Sequence, residues 1–458
     1  MDNELIKMDE NLKKYFNMLE KNFPEFLNDY INTKEMQRLG YISVSCGTIY
    51  SKLYDLGYYS SLSHSIGVAL IIWHFTHDKK QTLAGLFHDI ATPVFKHTID
   101  FFNGDYMKQE TTEKLTAKII KNSTQISALL KRDKIRLKEV VDYHIYPIAD
   151  NEIPKLSADR LEYTMSNALI VYKCENLEKI REIYNSIDVL KEEIKEANKT
   201  NETNEENEVK EKNEINKLNK KNEQNEINKK DEQNETSKVD LADNELELGF
   251  TDIKKAEEFV AISSKLSIKY RDDKTRYSMQ FLADIVKKLN KEKNITKKDL
   301  YEKKESEIIE LIENSDCKEE FEKWKKATKI ITSKNKPTET QKNIYCVNQK
   351  AKIRYIDPLV QIETKQYQEE KGKMRILRTK NERASKVSNL AKKLIEENLK
   401  YDMDKYIYLE EWQIIQSSIN LKKHLKELET FVQAREDFIK KQPIYILLAV
   451  LIMIKIQK

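Results

Sequence analysis

Glycine and proline are scarce in this chain of 458 residues, numbering 8 and 7. That leaves little of the turn chemistry a hairpin-rich β architecture demands, and with Leu, Lys, Glu and Ile dominating, helix is the expected default. Cysteine is nearly absent as well. Cys46, Cys174, Cys317 and Cys346 stand far apart with no C-x-x-C spacing, which excludes a zinc knuckle or a disulfide framework and fits a reducing cytoplasm. Nor is there an excess of either charge: 81 basic against 77 acidic residues leave +4, so no global field draws the chain to nucleic acid or to an anionic membrane. The start, Met1-Asp-Asn-Glu-Leu5, lacks the basic residues and apolar run of a secretory signal, and a cytoplasmic protein is expected. The longest apolar run, Ile444 to Ile454, falls short of the roughly 20 residues of a spanning helix. It reads as a docked terminal helix or strand, and a membrane contact is expected only through it.

What is present is mainly helical periodicity. Leu12, Tyr15, Phe16 and Leu19 share a helix face before Pro24 interrupts. Ser63 offers an N-cap for a helix to about Thr76, and a second helix from Gln81 to Asp89 is stopped by Pro93. Further helices are expected at 110–121, 124–130, 135–143 and from Ser157 through Tyr172. Tyr41 to Cys46 alternates like a short strand, but with Gly47 and Gly57 punctuating the stretch it is read as a structured loop. From about Lys191 to Lys238 the chain is almost entirely Asn, Glu, Lys, Thr and Gln, and it cannot bury enough surface to offset its ordering entropy. Helical periodicity returns at Leu246, with a small β element expected around 351–362 and 373–378. The expected organisation is a helical domain over 1–190, a low-complexity disordered insert over 191–238, a mainly helical region over 239–442, and an apolar tail over 443–458.

Histidine is also rare, yet six of seven lie between His64 and His144, with only His424 elsewhere. His64 falls in the first turn of one apolar helix, His88 and Asp89 end the next, and Asp159 opens a later one. Adjacent helical residues point about 100° apart, so His88 and Asp89 cannot both face a core, but both can reach an ion beside the helix end. A buried carboxylate next to imidazoles is costly unless paired, and a divalent cation provides the pairing. Two imidazoles and two carboxylates suit Mn, Fe, Ni, Co, Zn or Mg rather than an all-oxygen calcium cage.

His64, His88-Asp89 and Asp159 in this order resemble the H…HD…D pattern of the HD-domain phosphohydrolase superfamily. The surroundings are similar too: Ser63-His-Ser-Ile-Gly-Val-Ala69, His88-Asp-Ile-Ala-Thr-Pro-Val-Phe-Lys-His97 and Asp159-Arg-Leu-Glu-Tyr163, the last resembling the deoxynucleoside triphosphate triphosphohydrolase-like branch, to which the chain as a whole is nearest. The resemblance covers roughly residues 40 to 175. It implies an all-α HD-domain helical bundle whose four residues, His64, His88, Asp89 and Asp159, hold a catalytic divalent metal. Departures accompany it. Thr92 stands where those enzymes carry a histidine, Gln109-Glu110 where they carry His-Glu, Ser61 in place of an arginine, and Ser166-Asn167 in place of Arg-Asp.

The implied activity is hydrolysis of a phosphoester or phosphoanhydride, on a nucleotide or another phosphorylated metabolite, through a metal-activated water. Lys96, Lys108, Arg160 and Tyr163 are the candidate substrate contacts, and His97 stands behind the ligands or packs the helix. The alternative is an HD-type nucleotide-sensing or scaffolding protein with little turnover, which the altered residues favour. A metal-dependent nuclease is a third reading, motivated by the basic stretch 371–380; the near-neutral charge opposes it, and no nucleic-acid partner is expected.

Limited proteolysis is expected to cut first between 191 and 238, with the two fragments remaining associated, because a long insertion costs little closure entropy. Cleavage elsewhere before that segment, or dissociation of the fragments, would contradict this organisation.

Overall fold

The computed structural model describes residues 10–104, 115–192, 246–336, 344–366, 375–410 and Lys426. Lys108, nearly all of the low-complexity insert, the expected helix beyond Leu409 and the apolar tail lie outside the described residues. Among the described residues, no helix is long and apolar enough to cross a membrane.

The fold is mainly helical. In its first part the helices are α1 (Glu10–Leu19), α2 (Phe26–Ile31), α3 (Lys34–Arg38), α4 (Ser61–Thr76), α5 (Lys79–Phe87), α6 (Thr98–Asn103), α7 (Thr116–Asn122), α8 (Thr124–Arg132), α9 (Ala158–Ser166) and α10 (Leu177–Tyr184). Helix α4 is apolar on every side, and that composition places it at the centre of the bundle, with α5, α9 and α1 packed around it. It begins one turn earlier than Ser63 suggested: Ser60 is the cap, its Oγ accepting the Ser63 N–H at 3.0 Å. The helix expected over 135–143 reduces to a single turn, Leu137–Glu139, preceded by Lys134 in the left-handed region. Tyr41 to Cys46 is a structured loop, as expected, held by the Ser43 to Ser60 bridge, by the Val44 N–H on the Tyr59 carbonyl and by the Ser61 N–H on the Ile42 carbonyl.

The β element expected around 351–362 and 373–378 is present as the paired strands Leu359–Gln366 and Arg375–Arg383, while Leu246–Phe250 is a strand where helix is expected. Strand β1 (Ile187–Lys191) pairs antiparallel with β2 (Leu246–Phe250), and Lys191 lies opposite Leu246. The two ends of the low-complexity segment therefore leave the fold side by side. Leu246, Leu248 and Phe250 alternate with period two, a pattern five residues long and easily absorbed into the helix that follows. Beyond them lie α11 (Ile253–Lys269), α12 (Asp273–Lys291), α13 (Lys297–Glu302), α14 (Glu305–Glu313), α15 (Lys318–Lys326), β3 (Ile330–Ser333), β4 (Leu359–Gln366), β5 (Arg375–Arg383), α16 (Ala384–Val387), α17 (Asn389–Leu399) and β6 (Tyr406–Leu409). The larger sheet runs β1-β2-β4-β5, with β2 and β4 parallel and the outer pairs antiparallel; β3 and β6 pair separately.

Among the described residues two large apolar cores result, with a small third cluster of Phe101, Met279, Ala283 and Ala351. One unites the first helical bundle with β1, β2, α11 and α17; the other is built on α12 to α15 with β3 and β6. The segment after α5 is clamped between them, since Ile90 belongs to the first core and Val94, Phe95 and Ile99 to the second. Glu305, opening α14, locks this segment. Its carboxylate accepts the Ser43 N–H at 3.2 Å, the Phe95 N–H at 3.4 Å and the Tyr50 hydroxyl at 3.0 Å.

Burial pushes the Glu305 carboxyl up to about 7, from an ordinary value of 4.5, against the pull of Tyr50, the two N–H donors and Arg38. The folded state thus binds this proton more tightly than the unfolded chain. Its contribution to stability is fully present below pH 4.5 and is lost as pH rises through about 7. Relative to Glu305→Gln, the wild type is expected to lose on the order of 3 kcal/mol across that window, read as a shift in denaturation midpoint against pH. Parallel pH profiles for the two proteins would refute this.

Candidate metal centre

Three short pieces of local structure deliver the predicted residues. His64 sits in the first turn of the buried α4 and is only 5% exposed. Helix α5 ends at Phe87, so His88 and Asp89 occupy the turn just beyond it, and the His88 Nδ1–H donates to the Gly85 carbonyl at 2.7 Å. Asp159 lies in the first turn of α9, capped by Ser157, where the helix dipole favours a carboxylate. The loop before α9 is held from across the insert, because the Leu248 N–H of β2 donates to the Leu156 carbonyl at 3.1 Å.

The structure brings all four residues together. His64 Nε2 is 3.1 Å from Asp159 Oδ1 and 3.2 Å from His88 Nε2. His88 Nε2 is 3.7 Å from Asp159 Oδ1 and 3.9 Å from Asp89 Oδ2. One donor atom each from His64, His88 and Asp89 lies within 4.8 Å of the others. Two ligands bound at about 2.1 Å to one ion stand roughly 3.0–3.4 Å apart at octahedral or tetrahedral angles; the 3.1 and 3.2 Å spacings around His64 match this, and the 3.7 and 3.9 Å spacings from His88 to the two carboxylates are wider. The Gly85 carbonyl only accepts, so His88 carries a proton on Nδ1 and Nε2 is the atom turned toward the other residues of the cluster.

His64 is oriented by a residue the sequence did not single out. Its Nδ1 lies 2.5 Å from Glu162 Oε2. Glu162 is completely buried, 0% exposed, and its carboxylate also accepts hydroxyls from Tyr59 at 2.6 Å, Tyr15 at 3.2 Å and Ser166 at 3.3 Å. A carboxylate holding a ligand imidazole in this way fixes its tautomer and ring plane. The available signal was spacing: Glu162 is one helical turn after Asp159, so the two flank the same imidazole. Gly67 makes room for it, since a Cβ there would stand 2.6 Å from Glu162 Oε1.

Burial disfavours every charge in this cluster, yet the partners prevail. Against desolvation, Glu162 and Asp159 raise the His64 imidazole to about 10, while Lys96 and the two imidazoles hold Asp89 well below the usual carboxylate range. Asp159 is likewise depressed by His64 and His88. An ion entering here displaces a proton.

The centre lies in the wall of a cavity of about 530 Å³. Of the other expected residues, Lys96 reaches the centre and pairs with Asp89 Oδ2 at 2.5 Å. His97 lines the cavity and is hydrogen-bonded through Nδ1 to Asp100 Oδ2 at 2.9 Å, with Asp100 1% exposed. Arg160 borders the cavity but spends its guanidinium on Asn151, Ser157, the Lys155 carbonyl and Asp150, bracing the loop before α9. Tyr163 lines the cavity and packs edge-on against Tyr270. His144 reaches the wall, whereas His74 and His77 do not. Thr92 is fully buried and does not line the cavity. The far wall comes from beyond the insert and includes Tyr270, Met279, Lys352 and Arg354. No motif in the sequence marked those residues.

No protein-family model matches the chain. Over 141 residues, 30% of its length, it is 26% identical to the uncharacterized protein YdhJ of Bacillus subtilis, and the match spans 42% of that protein. Its fold is similar to a crystal structure of a phosphohydrolase from Bacteroides thetaiotaomicron, with a TM-score of 0.45 and 13% identity over 85% of this chain and 96% of that one. Likeness of this degree transfers no activity.

Glu162→Gln is expected to keep the helical fold and to weaken manganese binding by roughly 10- to 100-fold, because the amide cannot orient and polarise His64 as the carboxylate does. Titration with Mn²⁺ followed by calorimetry measures it, and unchanged affinity would count against the role of Glu162.

Proposed function

We propose that the protein is a metal-dependent phosphohydrolase acting on a nucleotide or another phosphorylated metabolite. The reading is carried by one observation: two imidazole Nε2 atoms and two carboxylates converge at a cavity wall, with the Nδ1 of each imidazole engaged from behind. A divalent ion held by His64, His88, Asp89 and Asp159 supplies Lewis acidity toward phosphoryl oxygens and acidifies water at the centre.

The chain's own residues do the rest. Lys96, Lys352 and Arg354 bring positive charge to the cavity, which draws in and orients a phosphoryl group. Tyr163, Tyr172 and Tyr270 offer apolar faces to a planar or hydrophobic portion of the substrate. Burial holds the His97 imidazole below its ordinary value, so it is neutral near pH 7. With Nδ1 bound to Asp100, Nε2 is the atom that accepts a proton and returns it to the leaving oxygen. This Asp-His pair takes the proton-handling part that Thr92 cannot.

The second reading, a sensing or scaffolding protein on the same centre, draws support from Thr92, which lies in the core where the related enzymes carry an imidazole. Turnover separates the two. In a manganese- or iron-supplemented panel, phosphate or nucleotide release is expected from at least one phosphorylated metabolite, while deoxynucleoside triphosphates are poor substrates and Asp159→Ala is inactive. His97→Ala is expected to slow substrates with poor leaving groups by roughly 10² to 10⁴, and activated aryl phosphoesters less. Fast deoxynucleoside triphosphate hydrolysis would overturn the substrate reading; metal uptake with no turnover of any compound would favour the sensor.

A further inference from the structure

The far wall of the cavity includes a stretch with no regular structure. Residues 349–355 belong to no helix or strand, yet Ala351, Lys352, Arg354 and Tyr355 all line the cavity. Backbone of this kind has no ladder to satisfy its carbonyls, so side chains must hold them. Two buried guanidiniums serve this end. Arg276, 0% exposed, donates through Nη1 to the Gln349 carbonyl at 2.8 Å and to the Met403 carbonyl at 2.8 Å. Arg271, 1% exposed between α11 and α12, holds the other end of the stretch through two intermediaries, Ser267 and Asn398. Among the described residues Arg271 has no carboxylate partner: its acceptors are those two side chains and their carbonyls.

The direction of each hydrogen bond in this network is forced, because a guanidinium only donates and a carbonyl only accepts. Arg271 Nη1 is 2.8 Å from Ser267 Oγ, so the hydroxyl turns its own proton to the Arg354 carbonyl. Arg271 Nη2 is 2.8 Å from Asn398 Oδ1, which fixes the amide with Nδ2 donating to the same carbonyl at 3.0 Å. One buried cation thus sets both donors on Arg354. The Arg354 side chain lines the cavity, and its charge acts on His97, Cys46, Tyr163 and Tyr270, which line it from four separate stretches of the chain. We infer that Arg271 is a positioning residue for Arg354, fixing through Ser267 and Asn398 the backbone from which Arg354 reaches a phosphoryl group of the substrate. The inference rests on the phosphoryl reading of the cavity given above. A guanidinium on a fixed backbone has less freedom to lose when it binds, so the network acts on affinity.

The test titrates the full-length, manganese-loaded protein with inorganic phosphate by calorimetry. Arg354→Ala is expected to weaken phosphate binding roughly 10- to 100-fold, the scale of a lost hydrogen bond between charged groups. Ser267→Ala and Asn398→Asp each remove one donor from the Arg354 carbonyl and leave Arg271 in place, the second even giving it a carboxylate. Each is expected to fold and to weaken phosphate about 3- to 10-fold, the scale of one neutral hydrogen bond. Arg271→Lys, which keeps the charge without the planar fork, is expected to do the same. In an Arg354→Ala background none of the three changes should weaken phosphate further, a non-additivity that general loosening of the fold does not produce. Mn²⁺ affinity should stay at the wild-type value throughout. Full phosphate affinity in folded Ser267→Ala and Asn398→Asp, or equal losses with and without Arg354, overturns the positioning role of Arg271. Unchanged affinity in Arg354→Ala overturns it as well, since the residue to be positioned then makes no contact. A manganese-loaded wild type that binds no phosphate overturns the phosphoryl reading itself, and this inference with it.

Discussion

The hydrogen bond between Glu162 and His64 is the constraint on which the centre depends. Burying a carboxylate is expensive, and Glu162 is tolerated because three hydroxyls and an imidazole supply what water would otherwise give. Those donors come from α1, from Tyr59 just before α4, from α4 itself and from α9. One side chain thus ties the entry of the chain to the helix that carries His64 and to the helix that carries Asp159. Moving any of these elements would leave a buried charge short of partners, so the packing of the bundle and the aim of the imidazole are the same problem.

A second dependence runs through the residues beyond the low-complexity segment. Strand β2 pins the loop that leads into α9, and α14 holds the turn that carries Phe95 and Lys96. The cavity is closed by Tyr270, Met279, Lys352 and Arg354. The candidate centre therefore has His64, His88, Asp89 and Asp159 before the low-complexity segment and much of its wall after it. The antiparallel pairing of Lys191 with Leu246 explains how a long polar segment coexists with this: both of its ends sit at the rim of one sheet.

Charge sets the chemistry. Four buried or half-buried ionisable groups share one corner of the cavity, each disfavoured by desolvation and each rescued by a neighbour of opposite sign. Such mutual dependence is common where a protein prepares a site for an ion and an anionic ligand. Arg160 shows the opposite case. It follows Asp159 directly in sequence, yet its donors are consumed by the loop it braces.

By itself the sequence determined the helical class, the start of the central helix to within a turn of its cap at Ser60, and the candidacy of His64, His88, Asp89 and Asp159. These are local properties: periodicity, capping and the chemistry of adjacent residues are written within a few positions of one another. Only the tertiary structure decided that these four residues meet, that Glu162 stands behind His64, that His97 is backed by Asp100, and that Leu246–Phe250 is a strand. Tyr15 and Glu162 are 147 positions apart, and β2 becomes a strand because β1 and β4 supply its hydrogen bonds. A short alternating segment without a partner carries too little information to be told from a helix turn. The cavity's far wall is the extreme case, since nothing within the stretch from Lys352 to Tyr355 signals that it will face an imidazole some 260 residues away until the chain is folded.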